Sequence, residues 1–445
     1  MRNYISILFI LCTLETILFS CKKEKINIDP KSVMLRWADM TLYITKNTPG
    51  NSPTFASRGY GYMGLTMYES IVQGFPQYNS LNHQLNGLNN LPKADTSKKY
   101  NWILSLNAAQ ARILSQIYVQ TSDQNKLKID SLEKVVNAEF KEQADFETNE
   151  RSKRFGQSIA DSIFSWSISD GGHRGYLHNF DKKMTYPDTL GSWKPPLYAQ
   201  SFSHFPLHPH WGENRTFIQA DASIPDPVYL PYDTSHPSSY YKIFDEVYNY
   251  HKHLSQSEKE TAIWWADDPD VTFTPPGHSY YLASTILKIK NPELIEFAMT
   301  FAAVGISVAD AFIDCWKWKY KFFTERPNTF IPMHIDQSWE SFWPEPPFPA
   351  FPSGHAIQGS AAGNVLKELY GNNIHLIDSA HYGRHRDDLR NADFKPRSFD
   401  SLTQIINEIA DSRFYGGIHN KLDNQRGIEK GEEIAMNVMN LKWKK

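Results

Sequence analysis

An apolar run from Leu294 to Thr324, opened by Asn291-Pro292-Glu293, restricts the fold of this chain more than any other feature. Proline at the first turn with an acidic residue beside it is helix-start chemistry, so the run reads as one long helix. Such a helix packs among others, and the rest of the chain supplies them. Val33, Trp37, Met40 and Leu42-Tyr43 mark an apolar stripe after Pro30. Ser52-Pro53 opens a helix through Met63, Met67 and Ile71. Trp102–Gln120, Ser122–Ala144 and Glu150–Ser169 follow, the last stopped by Gly171-Gly172. The helical pattern returns at Tyr240–His251 and Ser257–Trp265, then at His355–Tyr370 (closed by Gly371), Ser398–Arg413 and Ile418–Asn440. No segment alternates strongly enough to predict a strand. The expectation is an all-α protein of two packed helical bundles, with an N-terminal region at 31–250 and a catalytic region at 251–445.

Residues 171–240 break the pattern with many Pro, His, Tyr and Trp. That is too long for an ordinary connection and too aromatic for disorder, so it reads as an ordered functional loop. His208–His210 has no third ligand at a supportive spacing and reads as surface loop, not a metal site. At the N-terminus, Arg2 precedes the apolar stretch Ile5–Phe19, and Leu18-Phe19-Ser20-Cys21 looks like a lipoprotein processing site. This predicts a signal peptide at 1–20, a lipid on Cys21 and a polar tether over 21–30. The protein would then sit at the cell envelope, touching the membrane through its anchor alone, with no later segment long enough to span. With Cys12 removed and Cys21 acylated, Cys315 is left as a small core residue with no internal disulfide partner. A formal net charge of −3 argues against nucleic acid as a partner, so any anion site must draw on local charge.

Three C-terminal segments carry that charge: Lys319-x6-Arg326-Pro327, Pro352-Ser353-Gly354-His355, and Ser412-Arg413-x5-His419-x3-Asp423. Seven residues separate Lys319 from Arg326, about two helical turns, which predicts one helix face presenting both. Asp423 lies four residues after His419, close enough to hold one ring nitrogen and leave the other as a lone pair. Ser353-Gly354 precedes an Ala-rich stretch, where a helix N-terminus would aim amides at an anion and Ser353 would cap it. The set is equipment for gripping a tetrahedral oxyanion, with His355 as the acid–base group. Arg326 and Arg413 suit bidentate oxygen contacts, and Lys319 adds a mobile point charge. The run His381–Asp388 is charge-rich without ligand spacing and reads as a solvated loop.

This three-part signature resembles the superfamily of type 2 phosphatidic acid phosphatases, bacterial acid phosphatases and vanadium-dependent haloperoxidases. The long His355–Ser412 separation implies a loop insertion around Ile374–Ser401. Trp316 and Phe348-Pro349-Ala350-Phe351 look like the chloroperoxidase pattern, and Gly416-Gly417-Ile418-His419 with Asp423-Asn424 is similar to bacterial haloperoxidase-like lipoproteins. Glu325 departs from the fungal pattern and would put negative charge beside the anion site. On the haloperoxidase branch the resemblance implies vanadate held by His419 and surrounded by Lys319, Arg326, Ser353, Gly354 and Arg413. His355 then manages protons while hydrogen peroxide oxidises halide, and Trp316 and Phe348 form a halide pocket. On the phosphatase branch it implies a phosphohistidine at His419, a phosphoester substrate and no cofactor.

Overall fold

The computed structural model describes residues 28–195 and 205–445; the signal segment, Cys21 and most of the 21–30 tether lie outside them. Five helices form the first part: α1 (Lys31–Lys46), α2 (Pro53–Glu69), α3 (Trp102–Ile117), α4 (Asp123–Phe140) and α5 (Phe146–Ser167). The 171–240 segment follows with short 3₁₀ turns and no α-helix before Ser239 among the described residues. Then come α6 (Ser239–His251), α7 (Gln256–Trp264), α8 (Thr274–Lys290), α9 (Leu294–Phe322), α10 (Pro327–His334) and α11 (Gly354–Tyr370). Strands β1 (Asn373–Asp378) and β2 (Arg397–Ser401) precede α12 (Leu402–Tyr415) and α13 (Lys421–Met439).

The helix starts follow capping chemistry. Ser52 accepts from Phe55 N–H with Pro53 in the first turn of α2, and Asn101, Ser122 and Asp145 cap α3, α4 and α5 the same way. Helix α9 is the axis of the fold. Its burial is nearly continuous from Ile295 to Lys319, and one apolar cluster runs from Val33 through α2, α8, α9 and α11 to Trp443. By length and composition α9 could cross a membrane, contrary to the expectation that no later segment reaches that length. It is instead enclosed by protein, which is how an all-round apolar helix behaves in a core.

Four other expectations need correction. Strands β1 and β2 pair antiparallel inside the stretch read as a loop insertion and the start of the α12 pattern. The alternation was there in Asn373–Asp378, whose burial runs exposed–buried along its length, but six residues are a weak period. Ser401, not Ser398, opens α12 through a capping box with Gln404. Helix α8 was missed because its start carries Pro275, Pro276 and Gly277, ordinarily breakers, here tolerated in the first turn after Phe273. Finally, α9 ends at Phe322, where Phe323 adopts left-handed φ (53°) and donates its amide to Lys319 C=O. Lys319 and Arg326 therefore do not share a helix face: Arg326 is the N-cap residue of α10.

Candidate active site

Two close helix approaches set the site. Helix α13 lies against α11 at Gly431, where a Cβ would come within 2.3 Å of Ile357 O, so a larger residue would force the helices apart. Ser353 N–H donates to Asp423 C=O (3.1 Å), tying the start of α11 to the first turn of α13. The turn before His419 passes through Gly417 at φ 71°, a left-handed position that favours glycine. His419 and Asp423 consequently pair across the helix start, not along a helix face: α13 begins at Lys421, capped by Asn420.

His419 Nδ1 and Asp423 Oδ2 are 2.9 Å apart, and Arg326 Nη1 stands 3.3 Å from His419 Nε2. An arginine donates only, so Nε2 is the lone-pair nitrogen and Nδ1 carries the proton toward Asp423. Burial, then the charges of Arg326, Lys319, His355 and Arg413, hold His419 well below the usual imidazole range. Burial likewise raises the Asp423 carboxyl to about 7, and its Oδ1 has no hydrogen-bond partner.

The three cations are wholly buried, each partly spent on carbonyls. Lys319 Nζ donates to Pro349 O (3.0 Å) and Ala350 O (2.6 Å), leaving one of its three hydrogens over. Arg326 reaches Phe348 O through Nε (3.2 Å) and Nη2 (3.0 Å), and Ile418 O through Nη1 (2.7 Å). Arg413 donates to Ser412 Oγ (3.0 Å) and Ala262 O (2.6 Å), with Nη1 uncommitted. Desolvation pulls Lys319 down to about 7 and both arginines to about 10. Ser353 caps α11, accepting from Ala356 N–H at 3.4 Å. Burial holds the His355 ring well below its ordinary range; it bonds to the backbone of Ala266 and Trp265 and leaves Nε2 covered and unpartnered.

A cavity of about 500 Å³ opens onto this group, lined by Gly354, His355, Arg413, His419, Trp316 and Phe348, with Phe312, Pro347 and Leu207 on its apolar wall. Lys319, Arg326 and Ser353 stand behind that lining, fully buried. Trp316 and Phe348 contact each other (ring centroids 4.9 Å), and Lys319 Nζ lies 5.1 Å from the Phe348 ring centroid. Cys315 is buried with Sγ toward Pro352 O. His208 is buried, bonded to Thr54 and to Gly175 O (3.0 Å), while His210 is exposed beside Glu213 (2.8 Å).

Glu325 does not face the pocket; it accepts from Tyr240 OH (3.1 Å), and burial lifts its carboxyl to about 7. The acid beside Arg326 is Glu345, 3.8 Å from Nε and also raised by burial to about 7, a residue with no local sequence signal. Also missed were Asp267 and Asp268, which line the cavity and whose charges bear on Arg413; the run Asp267-Asp268-Pro269-Asp270 was their one visible trace. His381 is corrected as well. It is not solvated but buried, with Nε2 2.9 Å from Asp267 Oδ1, because a partner more than a hundred residues away takes it inward.

Comparison with known proteins agrees with this geometry. Residues 299–444 match the family described as the vanadium chloroperoxidase (VCPO) second helical-bundle domain. The vanadium chloroperoxidase of Curvularia inaequalis is 24% identical over 343 residues, 60% of this chain; the match spans 56% of that protein's length. A crystal structure described as the first bacterial vanadium-dependent iodoperoxidase aligns with TM-score 0.78 and 29% identity, covering 93% of this chain and 97% of that one. An apo-type bacterial vanadium-dependent chloroperoxidase shares the fold at TM-score 0.64 and 15% identity, covering 88% and 93% of the two chains. These likenesses support the superfamily of the vanadium haloperoxidases.

Proposed function

We propose that this protein is a vanadium-dependent haloperoxidase that oxidises halide with hydrogen peroxide. The carrying observation is the His419 Nε2 lone pair, held by Asp423 and met by the buried cations Arg326, Lys319 and Arg413. A tetrahedral oxyanion fits that arrangement. His419 Nε2 would hold vanadate, with Lys319, Arg326, Arg413, Ser353 Oγ and the Gly354 amide compensating its charge. When bound, vanadate supplies a Lewis acid that activates peroxide without changing its own oxidation state.

The chain's part is positioning and proton handling. Asp423 keeps the Nδ1 proton in place, so Nε2 presents its electrons to the cavity. His355 Nε2, unpartnered and neutral at ordinary pH, would be the group that accepts and returns a proton at the cavity wall. Lys319 supplies positive charge next to the reacting oxygens, and the Trp316–Phe348 wall offers a polarisable, dry surface for halide.

The same residues would suit a phosphomonoesterase, with His419 attacking phosphorus and His355 protonating the leaving oxygen. Purified protein is therefore titrated with vanadate while peroxide-driven halide oxidation and phosphoester hydrolysis are followed together. Activation of halide oxidation, blocked by phosphate, supports the haloperoxidase. Hydrolysis without vanadate, inhibited by it, supports the phosphatase. No effect of vanadate on either, and no binding, sinks both.

For location, we propose a lipid anchor on Cys21 at the cell envelope, the motif Leu18–Cys21 being its support. Failure of fatty-acid label to enter the wild-type chain, or its persistence in Cys21→Ser, would reject this.

A further inference from the structure

Asp267, His278, Asp378 and His381 come from four places: the loop after α7, the first turns of α8, the end of β1 and the loop beyond it. All are at most 3% exposed. Asp378 Oδ2 accepts from Trp264 Nε1 (2.7 Å) and stands 2.8 Å from His278 Nε2, while Oδ1 accepts from Ala380 N–H (2.9 Å). Asp378 is thus an acceptor throughout and fixes a proton on His278 Nε2. The other nitrogen, Nδ1, faces Asp267 Oδ2 at 2.8 Å, and His381 Nε2 faces Asp267 Oδ1 at 2.9 Å.

Two lone pairs cannot face each other at that distance unless something positive lies between them. Either two protons do this or one metal ion does. With protons, His278 is an imidazolium between two carboxylates and His381 stays neutral, so the buried cluster keeps a net negative charge. Arg384 and Arg413 lend charge to Asp267 from beyond ion-pair distance. A divalent ion closes the charge with both rings neutral.

We propose that Asp267, His278 and His381 bind a divalent transition metal, zinc by donor type. The three donors lie within 4.8 Å of one another, and two imidazoles with a carboxylate are a recurrent zinc donor set. Asp378 is the partner that a metal-bound histidine needs on its far nitrogen, and Trp264 orients Asp378 in turn. Asp267 adopts left-handed φ (50°), a backbone conformation held only where its surroundings fix it. The ion clamps the inserted loop after β1 onto α7 and α8, one residue away from Ala266, which His355 bonds. Its role is to hold this loop in place beside the oxyanion cavity, which Asp267 also lines.

The test is elemental analysis of the soluble chain, purified without a metal-affinity tag and without vanadate, alongside cobalt titration after chelation. About one zinc per chain is expected, with cobalt giving visible ligand-field bands. His381→Ala should lose both the zinc and the bands. If that variant does not fold, His381→Gln and the wild-type titration decide. Wild-type protein that takes up neither ion, or variants that bind as wild type does, would overturn the proposal and leave a hydrogen-bonded network. Vanadate loading measured separately in the same samples keeps this outcome independent of the haloperoxidase reading.

Discussion

Around His419, three buried cations meet Asp423 and Glu345, both lifted to about 7 by burial, while Asp267 and Asp268 act on Arg413 from the cavity wall. Around His278 the excess runs the other way, with Asp267 and Asp378 held below the usual carboxylate range. Burial alone would raise both, but the adjacent histidines outweigh it. Both clusters are desolvated, so the difference lies in sign. A buried cluster whose charges do not close is costly until a ligand of opposite sign arrives. The first thus selects an oxyanion and the second a cation. Variants that alter the excess should therefore alter ligand binding before they alter the fold.

The severest break is His419→Ala, which removes the one lone pair aimed at the anion. Either chemistry should fall by about 10³-fold or more, since no other group here can replace that bond. Purified variant retaining most of its activity would refute the site. Next, Arg413→Ala and Arg326→Ala each delete a charge-assisted donor worth roughly 1.5–3 kcal/mol, or about 10–100-fold in vanadate affinity. Isothermal titration reads this, and unchanged affinity would place those charges outside the pocket. Asp423→Asn keeps the shape but can fix the other His419 tautomer, for a loss of about 10–100-fold. Equal turnover would make Asp423 a helix-start residue only.

These residues were legible because the motif lists them in order, yet the route that brings them together was not. The Lys319–Arg326 spacing fits one helix face, and Phe323 ends the helix between them. Both side chains still converge behind the cavity lining because Arg326 restarts the chain as the α10 N-cap and folds back on Phe348 and Ile418. Helix existence was readable from long apolar periods and from caps such as Ser52 and Ser122. Helix α8 and the β1–β2 pair were not, since breakers at the start and a six-residue alternation give local pattern little to work with. Glu345, Asp268 and the His278–His381 cluster were invisible for a different reason. Their meaning lies in partners outside any local period, Arg326 for Glu345, Arg413 for Asp268, and Asp378 and Asp267 for the histidines, and no local spacing encodes that.

The charge excess also predicts a pH dependence. Burial brings Lys319 down to about 7, so in the free protein it loses its proton as pH rises through neutrality. A bound anion favours the charged form, so binding takes up a proton there, and vanadate affinity should fall above about pH 7, by up to tenfold per unit. Deprotonation of Asp423 over the same range adds negative charge and acts in the same direction. On the acid side His419 stays neutral well below 6.5, so its lone pair survives. Lys319→Arg should flatten the alkaline decline, because a guanidinium keeps its charge. A Lys319→Arg profile that matches wild type would assign the decline elsewhere.

The smallest effect tests the apolar side of the pocket. Trp316 Nε1 donates to Leu207 O (3.1 Å), and its ring packs on Phe348 and Phe312 (centroids 4.9 and 5.3 Å). Trp316→Phe keeps an aromatic wall but gives up that bond and part of the indole area, about 1 kcal/mol for the hydrogen bond. Leu207 C=O keeps Tyr320 OH (2.6 Å), so the carbonyl is not orphaned and the fold should hold. Vanadate binding depends on charge and should not move. If the Trp316–Phe348 wall positions halide, KM for halide should rise a few-fold, roughly in line with that lost bond, while KM for peroxide stays constant. Equal shifts in both KM values would mean that Trp316 merely shapes the cavity, and an unchanged halide KM would remove it from halide binding altogether.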